Sequence, residues 1–168
     1  MIQVNVKRLS DTAILPTYGS EKAAGMDLYC DLKTTPPGFG ENPRYPLIIS
    51  EDNQGNNGAL LMQGGRVMLS TGVAMEIPEG YVGLVYARSG LSTKNGLRPA
   101  NCVGVIDSDY RGPIMVCLVN EGDNDCLVLD GSRIAQIVIT PYVQAELTEV
   151  DSLSETDRGE GGFGSSGV

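Results

Sequence analysis

The chain has 168 residues, 41% of them apolar, with 22 glycines, 9 prolines, no tryptophan, no histidine and a formal net charge of −9. One domain with a real core is expected at this length, and the acidic balance argues against non-specific contact with nucleic acid or an anionic membrane. The lack of histidine excludes a His-containing zinc site and a His-activated nucleophile within one chain type.

Gly and Pro are plentiful and aromatics few, which predicts short strands and turns. The first strand is IQVNVK (2–7), where apolar and polar residues alternate. PPGFGENPRYPLIISEDNQGNNGALLMQGG (36–65) follows, rich in Pro, Gly and Asn. It reads as a surface insertion, either a long loop or a protruding hairpin around Glu51–Gly58. GVAMEI (72–77) alternates again and stops at the turn signal Pro78-Glu79-Gly80. Strands are also expected over 81–87, 102–106, 113–120, 125–130 and 133–143. That series is the mark of an all-β sandwich or barrel. One short helix is expected over SGLSTKNG (89–96), with Ser89 as N-cap and Gly96 as its stop. The tail RGEGGFGSSGV (158–168) is glycine-rich and cannot fold alone, so it should move when empty. The domain expectation is therefore 1–157 plus a mobile tail, 158–168.

The N-terminus MIQVNVKRLS has no leader pattern, and the longest apolar runs fall far short of a bilayer span. Cys30, Cys102, Cys117 and Cys126 form no C-x-x-C pair. Three of the four lie in or beside apolar runs and read as reduced thiols, which fits a cytoplasmic compartment.

Three segments suggest phosphate chemistry. The tail offers open backbone N–H groups, an arginine and two hydroxyls, a set suited to wrapping an anion. ARSGLS (87–92) puts an arginine and a serine at a helix start. IDSDYRG (106–112) puts two carboxylates and a tyrosine on a turn between strands. Each also has a bland reading: a linker, a structural turn, a solvated hairpin loop.

In order, AAGMDLYC (23–30), ARSGLS (87–92), NCVGVIDSDYRG (101–112), GSRIAQIVI (131–139) and RGEGGFGSSG (158–167) resemble the five motifs of the homotrimeric dUTPase family. Five ordered motifs at compatible spacing are far more specific than any one. The resemblance implies a distorted β jelly-roll barrel, a homotrimer with shared sites, and Mg²⁺. It also implies hydrolysis of dUTP to dUMP and pyrophosphate, which limits uracil in DNA and supplies dUMP for dTMP.

The resemblance also assigns roles. Asp107 matches the base that deprotonates the attacking water, with Asp109 capping the turn. Tyr110 matches the ring under the deoxyribose that leaves no room for a 2′-hydroxyl. Asn101, Gly104 and Ile106 match the hairpin that reads uracil through the main chain. Arg88, Ser89 and Gly90 match the triphosphate cradle, and Gln136 a further phosphate contact. Arg133 is either a structural ion-pair residue or a phosphate ligand. Asp27 matches a carboxylate that faces Mg²⁺ through water, its alternative being a salt bridge between subunits. Phe163 matches the ring that stacks on uracil. Arg158, Gly164, Ser165 and Ser166 match contacts to the γ-phosphate in a tail that closes as a lid. The family usually has Thr where Ser166 stands.

Two rivals remain at this point. A dCTP deaminase, alone or combined with dUTPase activity, needs an acid/base near C4 of the base. No Glu lies between Arg98 and Gly112 to serve it. A nucleotide-switched regulatory protein would use 36–65 to contact a protein partner.

Overall fold

The computed structural model describes residues 2–36 and 47–162. In chain order they form β1 (Asn5–Arg8), β2 (Thr17–Tyr18), β3 (Met26–Tyr29), β4 (Ile48–Glu51), β5 (Asn57–Leu61), β6 (Arg66–Ser70), β7 (Val73–Glu76) and β8 (Tyr81–Tyr86). Then come α1 (Ser89–Asn95), β9 (Leu97–Pro99), β10 (Gly104–Ile106), β11 (Met115–Asn120), β12 (Cys126–Leu129) and β13 (Arg133–Pro141). The expected all-β architecture with one short helix is what forms.

The strands pair in four sheets, ordered β10-β8-β13-β3-β2, β6-β11-β9, β12-β5-β4 and β1-β7. The pairings are antiparallel, as short connections allow. The sheets stay open: no closed barrel forms among the described residues, which corrects the expected barrel. Inward side chains of the larger sheets meet in one core, in which Leu28, Leu61, Leu69, Leu118, Ile134 and Ile137 are buried. Each such aliphatic side chain contributes about 1.5–3 kcal/mol of transfer free energy.

Two further expectations need correction. The first concerns 36–65. A hairpin does form, with β4 and β5 joined through Asp52–Asn56. The Asp52 carboxylate accepts the Gln54 and Asn56 N–H groups, and Gly55 takes φ 81°. β4 is exposed, as expected of surface structure. β5 is not: it lies between β4 and β12, with Ala59 and Leu61 buried. Its Ala-x-Leu alternation supplies one wall of the core. The second concerns α1. Ser89 is the first helical residue, not the cap. Arg88 holds the cap position with extended backbone and no side-chain cap bond. Gly96 does end the helix, at φ 69°.

Candidate active site

β8 carries candidate site residues at both ends. After its last residue the chain passes through Ala87 to Arg88 and turns into α1. Antiparallel pairing sets Gln136 of β13 opposite both Tyr86 of β8 and Asp27 of β3. Four side chains therefore meet at this end of the sheet. Arg88 Nε donates to Asp27 Oδ1 at 2.7 Å, and Arg133 Nη1 donates to Asp27 Oδ2 at 3.2 Å. Arg88 Nη1 reaches the Arg133 carbonyl at 3.4 Å. Gln136 Nε2 donates to the Ala87 carbonyl at 2.8 Å. Its Oε1 faces Gly25, where a Cβ would stand 2.8 Å away. The Asp27 side chain is 14% exposed and that of Arg133 51%. Asp27 thus anchors two guanidiniums at the mouth of the sheet, each with N–H groups left for an anion. The salt bridge once weighed between subunits is made within the chain. Ser89 and Gly90 are exposed on the first turn of α1.

The third motif runs along β8 towards its other end. Ile106 pairs with Gly83 and Gly104 with Val85, so Asp107 leaves β10 near Val82. Gly104 is buried, and a Cβ there would come 3.2 Å from Val85 Cβ and 3.4 Å from Asn101 Nδ2. Asn101, Asp107 and Tyr110 are exposed, and Ile106 is half-buried. Tyr110 N–H donates to the Asp107 carbonyl at 3.2 Å, closing the turn. The Tyr110 hydroxyl donates to the Pro113 carbonyl at 3.0 Å. Its ring lies over Gly112, where a Cβ would be 2.4 Å from the hydroxyl oxygen. A concavity of about 900 Å³ opens beside Asp107 and Asp109, with Glu76, Glu79 and Arg111 on its walls. The Glu76 carboxyl is held below its usual pKa by a hydrogen bond from Asn5, with Arg111 adding to the effect.

The structure thus brings Asp27, Arg88 and Gln136 together, and separately Asn101, Gly104, Ile106, Asp107 and Tyr110. It does not join Asp107 to Arg88 and Gln136 within one chain. Six residues of extended backbone separate Val82 from Arg88, about 20 Å at the strand rise. Arg158 lies on an arm exposed from residue 141 to residue 160. Its Nε donates to the Gly161 carbonyl at 2.8 Å. Phe163, Gly164, Ser165 and Ser166 lie outside the described residues.

Sequence reasoning missed Cys102, which takes φ 64° beside Asn101. A left-handed cysteine costs about 1–2 kcal/mol, and nothing in its side chain announces it. Reasoning also passed over Arg98 and Glu121, whose pairing joins segments 23 residues apart.

The residues 56–167 match a protein-family model described as dUTPase. The deoxyuridine 5′-triphosphate nucleotidohydrolase of Syntrophotalea carbinolica is 42% identical over 166 residues, covering 99% of this chain and 97% of the relative. That of Beijerinckia indica is 44% identical over 167 residues, covering 98% and 91%. Among solved structures, a mutant dUTPase of Staphylococcus bacteriophage 80alpha with dUpNHpp superposes with a TM-score of 0.74 at 28% identity, over 100% of both chains. The wild-type phage enzyme, described as controlling transfer of virulence genes by a G protein-like mechanism, is 29% identical with a TM-score of 0.74. These likenesses identify the four open sheets as the jelly roll of that family. On full-length identity, matched motifs and fold together, the chain belongs to the dUTPase family.

Proposed function

We propose that this member of the dUTPase family converts dUTP to dUMP and pyrophosphate at sites shared between three copies of the chain. One observation supports this above others: Asp107 and the Arg88 cradle stand at opposite ends of β8. A water activated by Asp107 must sit within about 3 Å of it, in line with a phosphorus held by Arg88 and Gln136. About 20 Å of strand forbids that within one chain, whereas a neighbouring copy can bring its Asp107 to this chain's arginines.

In the reaction, Asp107 takes the proton from water as its oxygen attacks the α-phosphorus. The bond from that phosphorus to the bridging oxygen breaks, and pyrophosphate leaves. Arg88, with the first-turn N–H groups at Ser89 and Gly90, carries the phosphate charge, and Gln136 orients the chain of phosphates. Main-chain groups from Asn101 to Ile106 read O4 and N3–H of uracil, where cytosine presents the reversed pattern. Tyr110 excludes a ribose 2′-hydroxyl. The arm from Arg158 onward closes the site, with Phe163 on the base and Gly164, Ser165 and Ser166 at the γ-phosphate.

The family's chemistry is metal-dependent, and Mg²⁺ is the ion proposed. No cluster of three or more His, Cys, Asp or Glu stands among the described residues. This donor set suits an ion held mainly by substrate phosphates and water. Asp27 fits a contact through water, because each oxygen keeps a lone pair beyond its guanidinium bond. When bound, the ion neutralises charge on the leaving pyrophosphate.

No helix among the described residues is long and apolar enough to cross a membrane. The free cysteines fit the cytoplasmic compartment proposed here. A regulatory contact is a second reading, favoured by one feature. Among the described residues β4 is an edge strand, with Ile48 and Ile49 exposed and its free side open to an added strand. Because β5 belongs to the core, that reading is tested by charged substitutions at Ile48 and Ile49 rather than by removing 36–65.

Asp107→Asn should leave dUTP binding within a few-fold while lowering turnover by about 10²–10⁴. Near-normal turnover would remove Asp107 from its role. Pyrophosphate release from dUTP, UTP, dCTP and dTTP side by side with Mg²⁺ should favour dUTP strongly. Ammonia release from dCTP would restore the deaminase.

A further inference from the structure

The loop between β9 and β10 is bent by two consecutive turns. Cys102 N–H donates to the Pro99 carbonyl at 3.1 Å, and Val103 N–H donates to the Asn101 carbonyl at 2.7 Å. The second turn sets Cys102 at φ 64°, and no other non-glycine residue among those described has a positive φ. A cysteine resists that conformation, so contacts outside the turn have to hold it.

Arg98 supplies them. Its Nε donates to Glu121 Oε2 at 2.8 Å, and its Nη2 donates to Glu121 Oε1. Its Nη1 donates to the Pro99 carbonyl at 3.0 Å and meets Cys102 Sγ at 3.5 Å. A planar guanidinium gripped by a carboxylate on two nitrogens cannot swing towards one partner without leaving another. Glu121 is itself fixed. Its N–H donates to the Gly96 carbonyl at 2.9 Å. The preceding Asn120 is buried and donates to the carbonyls of Leu61 at 3.0 Å and Asn124 at 2.8 Å. A Cβ on Gly96 would fall 2.3 Å from Gly122 N, so the end of α1 and this loop are in close backbone contact. The turn at Cys102 is thus tied through Arg98 to the core. Two residues further on, the chain reaches Gly104, buried against Val85.

We infer that Arg98, clamped by Glu121, is a positioning residue for base discrimination. It fixes the Cys102 turn so that the main chain from Asn101 to Ile106 presents one donor and acceptor pattern to the base. The inference rests on the base-reading role given to that segment above. Arg98 itself touches no reacting atom. Its loss should therefore appear in KM and selectivity, while Asp107 and the arginine cradle keep the chemical step.

The test compares kcat and KM for dUTP and dCTP, with Mg²⁺, in three full-length variants. Arg98→Met removes all four contacts. Arg98→Lys keeps a charge opposite Glu121 but cannot also serve Pro99 and Cys102. Cys102→Val leaves Arg98 in place and disturbs the turn directly, since a β-branched residue resists positive φ. All three should lower the dUTP-to-dCTP ratio of kcat/KM by about tenfold, with kcat for dUTP within about threefold. If Arg98→Met does not fold, Arg98→Lys decides on the same ratio. A ratio lost in Cys102→Val but kept in the Arg98 variants overturns the role of Arg98 and spares the base-reading segment. A ratio kept in all three, with kcat/KM for dUTP unchanged, overturns both. Equal losses for both substrates mean that Arg98 only supports the fold.

Discussion

At the scale of single residues, the carboxylates divide by what surrounds them. Asp31 is 2% exposed, yet it stays ionised because hydroxyls surround it. Its Oδ2 accepts from Thr34 Oγ1 at 2.6 Å and Ser10 Oγ at 2.8 Å, and its Oδ1 accepts from Thr12 Oγ1 at 2.7 Å. Burial pushes its pKa up, but the bonds from Thr34, Thr12 and Ser10, with Lys33 nearby, outweigh this and hold it below the ordinary value. A depressed folded pKa means that the stabilisation is complete above the unfolded value, about 4, and fades as pH falls through the folded one. Asp31→Asn should therefore cost about 1–3 kcal/mol at pH 7, because an amide turns a donor towards hydroxyls that already donate. The gap from wild type should narrow below about pH 4. Urea melts at pH 7 and pH 3.5 check this, and a gap that does not change with pH would place the effect in packing instead. Gly72, at φ 67°, belongs to the same clasp, since a Cβ there would lie 2.5 Å from Asp31 Oδ2.

At the scale of elements, what the sequence discloses depends on how a strand is buried. Strands with one wet face alternate, and those expected over 81–87, 113–120 and 133–143 appear as β8, β11 and β13 within two residues at each end. β2, β3, β6 and β9 passed unseen: they are five residues or fewer and, unlike the equally short β1 and β7, do not sit in a longer alternating run. The 36–65 segment misled because Pro, Gly and Asn dominate its composition, while three apolar residues in β5 decide where it packs. This makes an unequal prediction for neighbouring strands. Leu61→Ala on β5 should cost about 2–5 kcal/mol. Ile49→Ser on exposed β4 should stay within about 0.5 kcal/mol. Denaturant midpoints at one fixed protein concentration measure both. Equal costs would mean that β4 is as much core as β5. The site was legible in a different way. The family resemblance proposed Asp107, Arg88 and Gln136, but Arg98 and Cys102 act through a backbone angle and a contact distant in sequence, for which no local pattern exists.

At the scale of the molecule, one chain leaves apolar side chains uncovered. Val143, Leu147 and Leu153 are 93%, 92% and 87% exposed on an arm that pairs with no strand among the described residues. Apolar side chains spaced along such an arm suit a neighbouring copy better than water. In the cyclic trimer proposed above, each site takes Arg88 from one copy and Asp107 from the next. That arrangement predicts complementation. Arg88→Ala and Asp107→Asn should each be nearly inactive alone. When the two are unfolded together and reassembled in equal amounts, about three-quarters of trimers are mixed. Each mixed ring places an intact Asp107 against an intact Arg88 at one of its three sites, so about a quarter of wild-type turnover should return. If both groups had to come from the same chain, no mixture would recover any activity, and the shared site would be wrong whatever the oligomeric state. Deleting 158–168 from both variants before mixing should abolish the recovery while the trimer persists on a sizing column, because the deletion removes the proposed lid and spares Val143, Leu147 and Leu153, which would pack on the neighbour.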